Sequence, residues 1–256
     1  MIYVCIPTHN EAGTIGPLLW KVARVMRDFG REYHLLVLDD ASTDGTSEAL
    51  GRYDQLLPLT VLSEAEARGY GAAVDRLLKH AVQASDYPKR DAAVVVQGDL
   101  TDDPASIVDL VKTLEGGSDV VAGSIAQPGP DCPRPLRWGR RLAPLVLGAA
   151  YRNAPVEDPL CGLRAYRIIV VKKALRGTDT SLASAREPWV ANLELLQRVA
   201  GFARRVESLP VGLRYHLPVR ASRFRAIPTL RRLLEFRSTS WDLPGEPPAG
   251  GREQAA

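Results

Sequence analysis

The chain has 256 residues, of which 45% are hydrophobic and 25% are charged, the composition of a globular protein with ample apolar material for a packed core. No apolar run approaches the roughly 18 residues that span a bilayer, and the first predicted strand begins too early to leave room for a signal peptide. The 3 cysteines and 4 histidines are scattered, so we expect a reducing, cytoplasmic compartment, no disulfide framework and no zinc site.

The net charge of +3 conceals two halves of opposite sign. Residues 1–133 hold 11 basic and 20 acidic side chains, whereas residues 134–237 hold 21 basic and 7 acidic ones. An acidic half suits a metal-dependent nucleotide site, and a basic half suits phosphate groups, anionic lipid or nucleic acid. We predict a single domain over residues 1–237, followed by a Pro/Gly-rich tail, 238–256, that we expect to be disordered.

Short apolar strands alternate with amphipathic helices along the first half of the chain. The pattern predicts strands at residues 1–6, 35–38, 59–62, 92–96 and 119–123, with helices at about 14–27, after 46, up to about 84 and over 104–115. Such alternation produces parallel βαβ units with right-handed crossovers. The predicted fold class is therefore α/β, with a mostly parallel central sheet covered by helices on both faces.

Carboxylates follow the predicted central strand, in the sequence QGDLTDDP at residues 97–104. Ligands of open α/β sheets bind at the carboxyl ends of the strands, and a hard cation that bridges a diphosphate needs few carboxylate ligands from the protein. Asp99 is our first candidate for such a ligand. Asp102 and Asp103 are interpreted as residues that start the helix opening at Pro104.

Nucleotide motifs of two common classes are missing from the sequence. Neither the dinucleotide GxGxxG nor the phosphate loop GxxxxGK[ST] follows the first strand, which argues against a dehydrogenase or a P-loop ATPase. The later segment RGYG at residues 68–71 is either a loop that approaches a ligand closely or only the start of a helix.

The second half contains two segments that mix apolar and basic residues. Over residues 135–151 the apolar side chains follow helical spacing while Arg137 and Arg141 share another face, and Pro144 is expected to kink or split this helix. Residues 227–237 repeat the mixture, and a further helix is predicted over 188–200. The pattern fits cationic helices that lie on a membrane surface, the alternative being core-facing helices with a solvated side.

Five segments in unbroken order carry a resemblance to a known family. They are IPTHNE at 6–11, VLDDASTDGT at 37–46, QGD at 97–99, DVVAGS at 119–124 and DPLCGLRAY at 158–166. Together they resemble the family 2 glycosyltransferases, and within them the dolichyl-phosphate mannosyltransferase and polyprenyl-phosphate glycosyltransferase group. The resemblance implies a GT-A fold, a nucleotide-sugar donor such as GDP-mannose or UDP-glucose, a divalent cation (Mg²⁺ or Mn²⁺) and inversion at the anomeric carbon.

The resemblance also implies roles for individual residues. Residues 1–133 would form the nucleotide-sugar and metal half and residues 134–237 the acceptor half. The nucleotide would be bound by Pro7, Thr8, Asn10, Glu11, Asp39, Asp40, Arg68, Gly69, Gln97 and Gly98. Asp99 and Asp158 would be catalytic, and Asp99 with Gln97 would hold the metal. The acceptor phosphate would be bound by Arg137, Arg141, Arg164, Arg214, Ser222 and Arg223.

Two positions depart from the family pattern. Gln97 replaces the first carboxylate of the DxD motif, and an amide oxygen can ligate a cation but brings no charge. Ile125 stands where a basic residue often follows the Gly-Ser of the fifth strand.

Asp39 and Asp44 have an alternative interpretation, in which their side chains only cap a turn.

The predicted activity is transfer of a hexose, mannose or glucose, to a polyprenyl phosphate by an enzyme bound peripherally to the cytoplasmic face of a membrane, without a role for nucleic acid. A phosphate acceptor is already anionic and needs positioning, whereas a hydroxyl acceptor needs a general base. Two alternatives stay open: an enzyme of the same family that acts on a saccharide or secondary-metabolite hydroxyl with Asp158 as base, and a non-catalytic module that binds nucleotide sugar or membrane.

Overall fold

The computed structural model describes residues 1–125, 129, 131–176, 187–217, 224–238 and 241. Two predicted acceptor residues, Ser222 and Arg223, lie outside the described residues, as do positions 239–240 and 242–256 of the predicted tail. Trp241 is described, and its indole Nε1 donates a hydrogen bond to the carbonyl of Ala150 at 2.9 Å.

The first half of the chain follows the predicted alternation of strand and helix. The strands are β1 (Ile2–Thr8), β2 (Tyr33–Asp39), β3 (Leu59–Ser63), β4 (Ala92–Val95) and β5 (Val120–Ser124). The helices between them are α1 (Ile15–Phe29), α2 (Thr46–Gly51), α3 (Tyr70–Ala84) and α4 (Ser106–Glu115). All these elements were predicted from apolar periodicity, and the predictions are confirmed to within a few residues at each boundary.

The second half adds two short strands that the sequence pattern did not indicate. The elements are α5 (Arg134–Leu147), α6 (Ala149–Arg152), β6 (Arg164–Arg167), α7 (Ile168–Ala174), α8 (Pro188–Ala200), β7 (Val206–Pro210) and α9 (Ala226–Leu233). β6 inserts between β4 and β5 and runs antiparallel to both, whereas β7 pairs with β5 in parallel. The prediction of a mostly parallel sheet is confirmed.

The sheet has the order β3-β2-β1-β4-β6-β5-β7 among the described strands. The chain builds outward from β1 through β2 to β3, then returns across the sheet to place β4 on the other side of β1. The loops after β1 and β4 therefore diverge from neighbouring strand ends. Such a reversal of strand order opens a crevice at the carboxyl edge of the sheet, and this is where open α/β folds bind ligands.

Helices cover both faces of the sheet and divide the core into two layers. β1, β2 and β4 are buried along most of their length, which explains their continuous apolar sequences. One layer packs α1 and α4 against the sheet, and the other packs α3, α7 and α8 against it. A third apolar cluster joins α5, α6, α8 and α9 beyond the sheet. Cys5, Cys132 and Cys161 are buried free thiols.

The break in the helix after residue 134 falls at Gly148 and not at Pro144. Pro144 lies inside α5, and α5 continues past it to Leu147. Gly148 then adopts φ +56° and ψ −115°, a conformation that an L side chain strongly disfavours, and the chain restarts as α6. The prediction of a split helix is right, but the glycine supplies the split because only it can take the required backbone angles.

We expect Asp91→Asn to destabilise the fold in a pH-dependent way. Asp91 is buried between α3 and β4, where its Oδ2 accepts hydrogen bonds from the Ser85 hydroxyl at 2.6 Å and the Tyr87 amide at 3.3 Å. Burial raises the pKa of Asp91, but the hydrogen bonds and the charge of the Met1 ammonium, 2.9 Å from Oδ1, outweigh burial and leave this pKa below its usual value. The ionised carboxylate therefore stabilises the fold above pH ~4, and the contribution disappears as pH falls through the folded-state pKa.

Thermal unfolding at two pH values tests this expectation. At pH 7 the variant should lose about 1–3 kcal/mol of stability, and below the folded-state pKa the difference from the native chain should close. Asp86→Asn, at an exposed neighbouring carboxylate, is the matched control and should leave stability unchanged. An equal deficit for Asp91→Asn at both pH values would contradict the role of the ionised form.

Candidate active site

A cavity of about 510 Å³ opens at the carboxyl edge of the sheet. Its wall comes from the loops after β1, β2 and β4, from the start of α3, and from α5, α8 and α9. Eight of the predicted site residues line it, namely Pro7, Thr8, Glu11, Asp40, Gly69, Gln97, Gly98 and Asp99. The structure thus brings together residues that are up to 92 positions apart in the sequence, from 7 to 99.

Gly98 fixes how closely the ends of β1 and β4 approach each other. A Cβ at this position would lie 2.9 Å from Cγ2 of Thr8 and 3.1 Å from the carbonyl oxygen of Pro7. Both distances are shorter than van der Waals contact allows, so a side chain would push the two loops apart. A glycine here keeps the crevice narrow where the chain reverses its strand order.

Three non-glycine residues near this crevice have positive φ angles. Asn10 has φ 53°, Ala41 has φ 54° and Leu100 has φ 66°. They follow β1, β2 and β4 respectively, so each loop at the cavity contains one residue in a sparsely populated conformation. Backbone strain of this kind persists only where surrounding contacts impose it, and it concentrates at functional sites.

Asp40 organises one end of the cavity. Its two carboxylate oxygens accept hydrogen bonds from the backbone amides of Arg68 and Gly69 at 2.7 and 2.8 Å, and the ring of His9 bonds to its backbone carbonyl at 2.7 Å. The carboxylate therefore ties the loop before α3 to the end of β2. The reading of residues 68–71 as a helix start is right, because α3 begins at Tyr70. Gly69 lines the cavity, and its close approach to a ligand stays a prediction.

Three of the predicted nucleotide-binding residues, Asn10, Asp39 and Arg68, lie outside the cavity wall. The side chains of Asn10 and Asp39 accept hydrogen bonds within the loops. Asn10 Oδ1 accepts the Thr43 amide at 2.7 Å. Asp39 accepts the Ser42 amide at 3.1 Å and the Ser47 hydroxyl at 2.7 Å, which matches its alternative reading as a turn residue. The Arg68 side chain points to solvent beside Glu64, 3.4 Å away.

Asp99 lines the cavity and is partly exposed. Its Oδ1 accepts hydrogen bonds from the Thr101 amide at 3.0 Å and the Thr101 hydroxyl at 2.5 Å. Gln97 lines the cavity two residues away and is also partly exposed. The carboxylate is therefore oriented by its own loop, and both predicted metal ligands are accessible from the cavity.

Asp102 corrects a prediction. It does not start helix α4, which begins at Ser106, although Asp103 does accept the Ala105 amide at 3.1 Å as a helix-entry residue. Instead Asp102 is 1% exposed, lines the cavity and accepts the backbone amide of Gln97 at 2.9 Å through Oδ2. Its Oδ1 has no hydrogen-bond partner within the described part of the chain. Burial, together with the neighbouring charge of Asp99, raises the pKa of Asp102 to about 7.

Arg140 lines the cavity, as does Arg225, and sequence reasoning missed both as site residues. Nη1 of Arg140 donates to Asp158 Oδ2 at 2.7 Å, and its guanidinium lies 5.5 Å from the ring centroid of Trp189. Burial lowers the pKa of Arg140, but the negative charge of Asp158 outweighs this and raises it. Asp158 is not among the residues that line the cavity.

The predicted acceptor arginines that the structure describes lie outside the cavity wall. Arg164 is fully buried and donates to the carbonyls of Asn192 at 2.6 Å and Pro159 at 2.5 Å, so it is a structural residue. Arg214 bonds to the Asp102 carbonyl at 3.0 Å and lies 3.3 Å from Asp103. Arg137 donates to the Cys132 carbonyl at 3.1 Å, and Arg141 lies over the exposed ring of Trp138.

The wall around Arg140 is largely apolar. Trp189 and Phe224 meet with ring centroids 4.5 Å apart, and Leu136 and Leu160 complete the same part of the wall. Gly139 admits these rings, because a Cβ there would lie 2.8 Å from Phe224. One end of the cavity is thus polar and acidic, and the other combines this apolar group with Arg140 and with the polar residues Glu187, Asn192 and Arg225.

Comparison with known proteins identifies the family of the chain. The family model described as glycosyl transferase family 2 matches residues 3–173. A curated relative from Edwardsiella ictaluri, undecaprenyl-phosphate 4-deoxy-4-formamido-L-arabinose transferase, is 30% identical over 82% of this chain and 59% of its own length. The protein of the same name from Pseudomonas paraeruginosa is 30% identical over 71% of this chain and 51% of its own length. The chain therefore spans little more than half the length of these relatives.

Solved structures show the fold. Glucosyl-3-phosphoglycerate synthase from Mycobacterium tuberculosis superposes with a TM-score of 0.60 at 20% identity, over 93% of this chain and 79% of the other. Staphylococcus aureus TarS 1–349 superposes with a TM-score of 0.57 at 19% identity, over 82% of this chain and 59% of the other. These likenesses confirm the predicted GT-A fold.

Within the residues that the structure describes, no helix is both long enough and apolar enough to cross a bilayer.

The match of the family model covers more than half of the chain, and it includes the segments from which the resemblance was first drawn. The resemblance is therefore confirmed, and the chain belongs to glycosyl transferase family 2.

Proposed function

We propose that this chain transfers a hexose from a nucleotide-diphosphate sugar to a polyprenyl phosphate at a membrane surface, with mannose and glucose as the sugars to test first. The observation that carries the proposal is the two-ended cavity at the β1/β4 reversal. Its acidic end, at Asp40 and Asp99, suits a nucleotide and a cation, and its apolar end with Arg140 suits a lipid phosphate. Activity, donor and acceptor are inferences for this chain, which is shorter than its curated relatives.

The donor end is supported by what the structural neighbours bind. The synthase from Mycobacterium tuberculosis was solved with Mn²⁺ and uridine-diphosphate-glucose, and a Pyrobaculum calidifontis mannosyltransferase was solved with GDP-Man and Mn²⁺. In this chain the β1/β4 crevice lies at the carboxyl edge of the sheet, where open α/β folds bind ligands. Either donor, GDP-mannose or UDP-glucose, is compatible with a nucleoside site beside Asp40.

The residues around Asp99 fit a divalent cation shared with a diphosphate. Among the described residues no group of three His, Cys, Asp or Glu side chains could hold a metal alone. Asp99 and Gln97 would supply the protein's oxygen ligands, and buried Asp102, whose Oδ1 has no hydrogen-bond partner among the described residues, lines the same cavity. Such a cation would act as a Lewis acid toward the leaving diphosphate.

The acceptor end is supported by the curated relatives and by the exposed face of α5. Both relatives are named as undecaprenyl-phosphate transferases. Trp138 and Leu145 of α5 are 60% and 72% exposed, and Ile227 of α9 is 83% exposed. Arg141 lies beside Trp138 on the same exposed face. The apolar stripe that the sequence predicted thus faces outward, which favours a helix on a membrane surface over a core-facing one.

We expect Asp99→Asn to abolish metal-dependent transfer. The loss should be about 10²-fold or more, because the cation would be left with the uncharged Gln97 as its remaining ligand from this pair. Sugar transfer with and without EDTA measures the effect, and Mn²⁺-dependent thermal stabilisation by the nucleoside diphosphate measures it without turnover. Asp109→Asn, at an exposed carboxylate of α4, is the control. An Asp99→Asn enzyme with native Mn²⁺ dependence would remove the metal assignment.

A phosphate on the acceptor should be essential for transfer. Incubation with labelled GDP-mannose or UDP-glucose and a prenyl phosphate should yield a lipid-extractable product, whereas the matching prenyl alcohol should yield none. The reason is that the cavity offers a cation for the phosphate, while Asp158, the predicted base, lies outside its wall. Transfer to a soluble alcohol alone, or hydrolysis of the donor alone, would reject the acceptor assignment.

Removal of the exposed apolar side chains should weaken membrane attachment. The triple substitution Trp138→Ser, Leu145→Ser and Ile227→Ser should lower binding to anionic liposomes in a flotation assay by about tenfold or more, because these side chains would insert at the headgroup boundary. Leu56→Ser removes a side chain that is 73% exposed elsewhere on the molecule and is the control. Equal flotation of the triple variant and the native chain would exclude this face as the membrane contact.

A further inference from the structure

Arg140 and Asp158 form an ion pair beside the cavity that the fold alone does not require. The side chain of Arg140 is 12% exposed and that of Asp158 is 4% exposed, so both charges are largely removed from water. A buried pair of this kind is weak evidence for stability, since desolvation offsets most of the attraction between the charges. Its position next to a cavity suggests a role for the charge itself.

The guanidinium of Arg140 is held in one orientation. Asp158 binds Nη1 at 2.7 Å on one side, Trp189 lies beneath the guanidinium at 5.5 Å, and Tyr215 lies beside it on the cavity wall. Arg140 still lines the cavity, and 12% of its side chain is exposed. A guanidinium that is fixed in this way at a cavity wall is preorganised to bind an anion, and phosphate is the anion whose geometry it matches.

Asp158 is poorly placed to act as a base. Oδ2 accepts from Arg140, and Oδ1 accepts the backbone amide of Leu160 at 3.1 Å. A general base must reach the proton that it removes, directly or through one water, with a lone pair to receive it. Asp158 is not among the residues that line the cavity, and each of its oxygens already accepts a hydrogen bond, one of them from Arg140, which does line it.

We infer that Arg140 binds a phosphate group in this site and that Asp158 positions Arg140 and does not act as a general base. The inference rests on the proposed function and deepens it by assigning the anion-binding residue at the apolar end of the cavity. The phosphate belongs to the acceptor or to the leaving diphosphate, and the shared chemistry is a phosphate oxygen that accepts hydrogen bonds from the guanidinium.

The reaction balances without a base when the acceptor is a phosphate. An acceptor phosphate oxygen forms the bond to the anomeric carbon, the bond from that carbon to the diphosphate oxygen breaks, and its electron pair leaves with the nucleoside diphosphate. No proton has to be removed from the acceptor, because a phosphate monoester is already anionic at neutral pH. The protein then has to hold the two anions close together, which is a task for a fixed cation.

A double-mutant cycle tests the pairing. The variants are Arg140→Gln, Asp158→Asn and the double substitution, with Arg140→Lys as the variant that keeps a charge but loses the planar guanidinium. Equilibrium binding of a prenyl phosphate and of the matching prenyl alcohol is followed by tryptophan fluorescence, since Trp189 contacts Arg140. Initial rates give KM for the acceptor, and thermal shift gives affinity for the nucleoside diphosphate.

Arg140→Gln should raise KM and Kd for the prenyl phosphate about 10- to 100-fold, and Arg140→Lys should lie between Arg140→Gln and the native chain. Asp158→Asn should shift the same quantity in the same direction, and the double variant should be no worse than Arg140→Gln. The matched control is Arg198→Gln, which breaks a similar arginine–carboxylate pair with Glu194 at 2.5 Å on α8. This control should change none of these quantities.

The affinities of Arg140→Gln for prenyl phosphate and for nucleoside diphosphate show which phosphate Arg140 binds. Weaker prenyl phosphate binding with unchanged nucleoside diphosphate affinity assigns the acceptor phosphate, and the reverse assigns the diphosphate. Unchanged affinity for both in folded Arg140→Gln would overturn the inference. A fall in kcat of more than about 10³-fold in Asp158→Asn, with acceptor KM unchanged and Arg140→Gln still active, would restore Asp158 as the base.

The two proposals can fail separately. If the native chain binds prenyl phosphate through Arg140 but transfers no sugar to it, the assignment of Arg140 stands and the proposed function fails. If the native chain transfers sugar and folded Arg140→Gln does so with native KM and native nucleotide affinity, the proposed function stands and the assignment of Arg140 fails.

Discussion

The contact between the ends of β1 and β4 is the constraint on which the site depends. The chain leaves β1 for one side of the sheet and later returns to place β4 on its other side, so the two loops diverge from neighbouring strand ends. Gly98 lets them meet, with the Thr8 side chain and the Pro7 carbonyl occupying the space of its missing Cβ. The positive φ angles at Asn10, Ala41 and Leu100 occur in the same loops. Strain and close packing therefore coincide where the cavity opens.

Two positions at which the chain departs from its family pattern have charged residues near them on the cavity wall. Gln97 lacks the carboxylate of a DxD motif, and its backbone amide donates a hydrogen bond to Asp102, which lines the same cavity. Ile125 lacks the basic residue that often follows the fifth strand, and Arg140 lines the cavity together with it. In each case the neighbouring charged residue lies outside the motif. Motif matching alone therefore leaves out some of the ionisable residues of the site.

The sequence predicts well what depends on local periodicity and poorly what depends on helix rotation. β1 to β5 and their helices follow from apolar spacing, and Asp40 and Asp99 follow from motifs. Arg137, Arg140 and Arg141 are close in sequence, and which one faces the cavity depends on the rotation of α5, which Gly139, Ala143 and Leu147 fix by packing inward. That buried i, i+4, i+8 series of small and apolar residues was a usable signal for the inward face. Asp102 carried no such signal, because aspartates just ahead of Pro104 are typical of a helix start. Its bridge partner in the fold, Leu213, is distant in the sequence.

The two faces of α5 connect the proposed membrane contact to the proposed phosphate site. Trp138, Leu142 and Leu145 are spaced by four and then three residues, so they share the exposed face of α5. Arg140 is two residues from both Trp138 and Leu142. It therefore lies about 200° around the helix from them, toward the cavity. A helix that rests on a bilayer by its outer face would place its inner face about 10 Å deeper into the protein, the diameter of a helix with its side chains. A prenyl phosphate also has an apolar part and a charged part, since its chain stays in the membrane while its anionic head can leave the membrane. The same 14-residue helix thus meets both needs of a lipid-phosphate acceptor, and its rotation is fixed by the packing that buries Gly139 and Ala143.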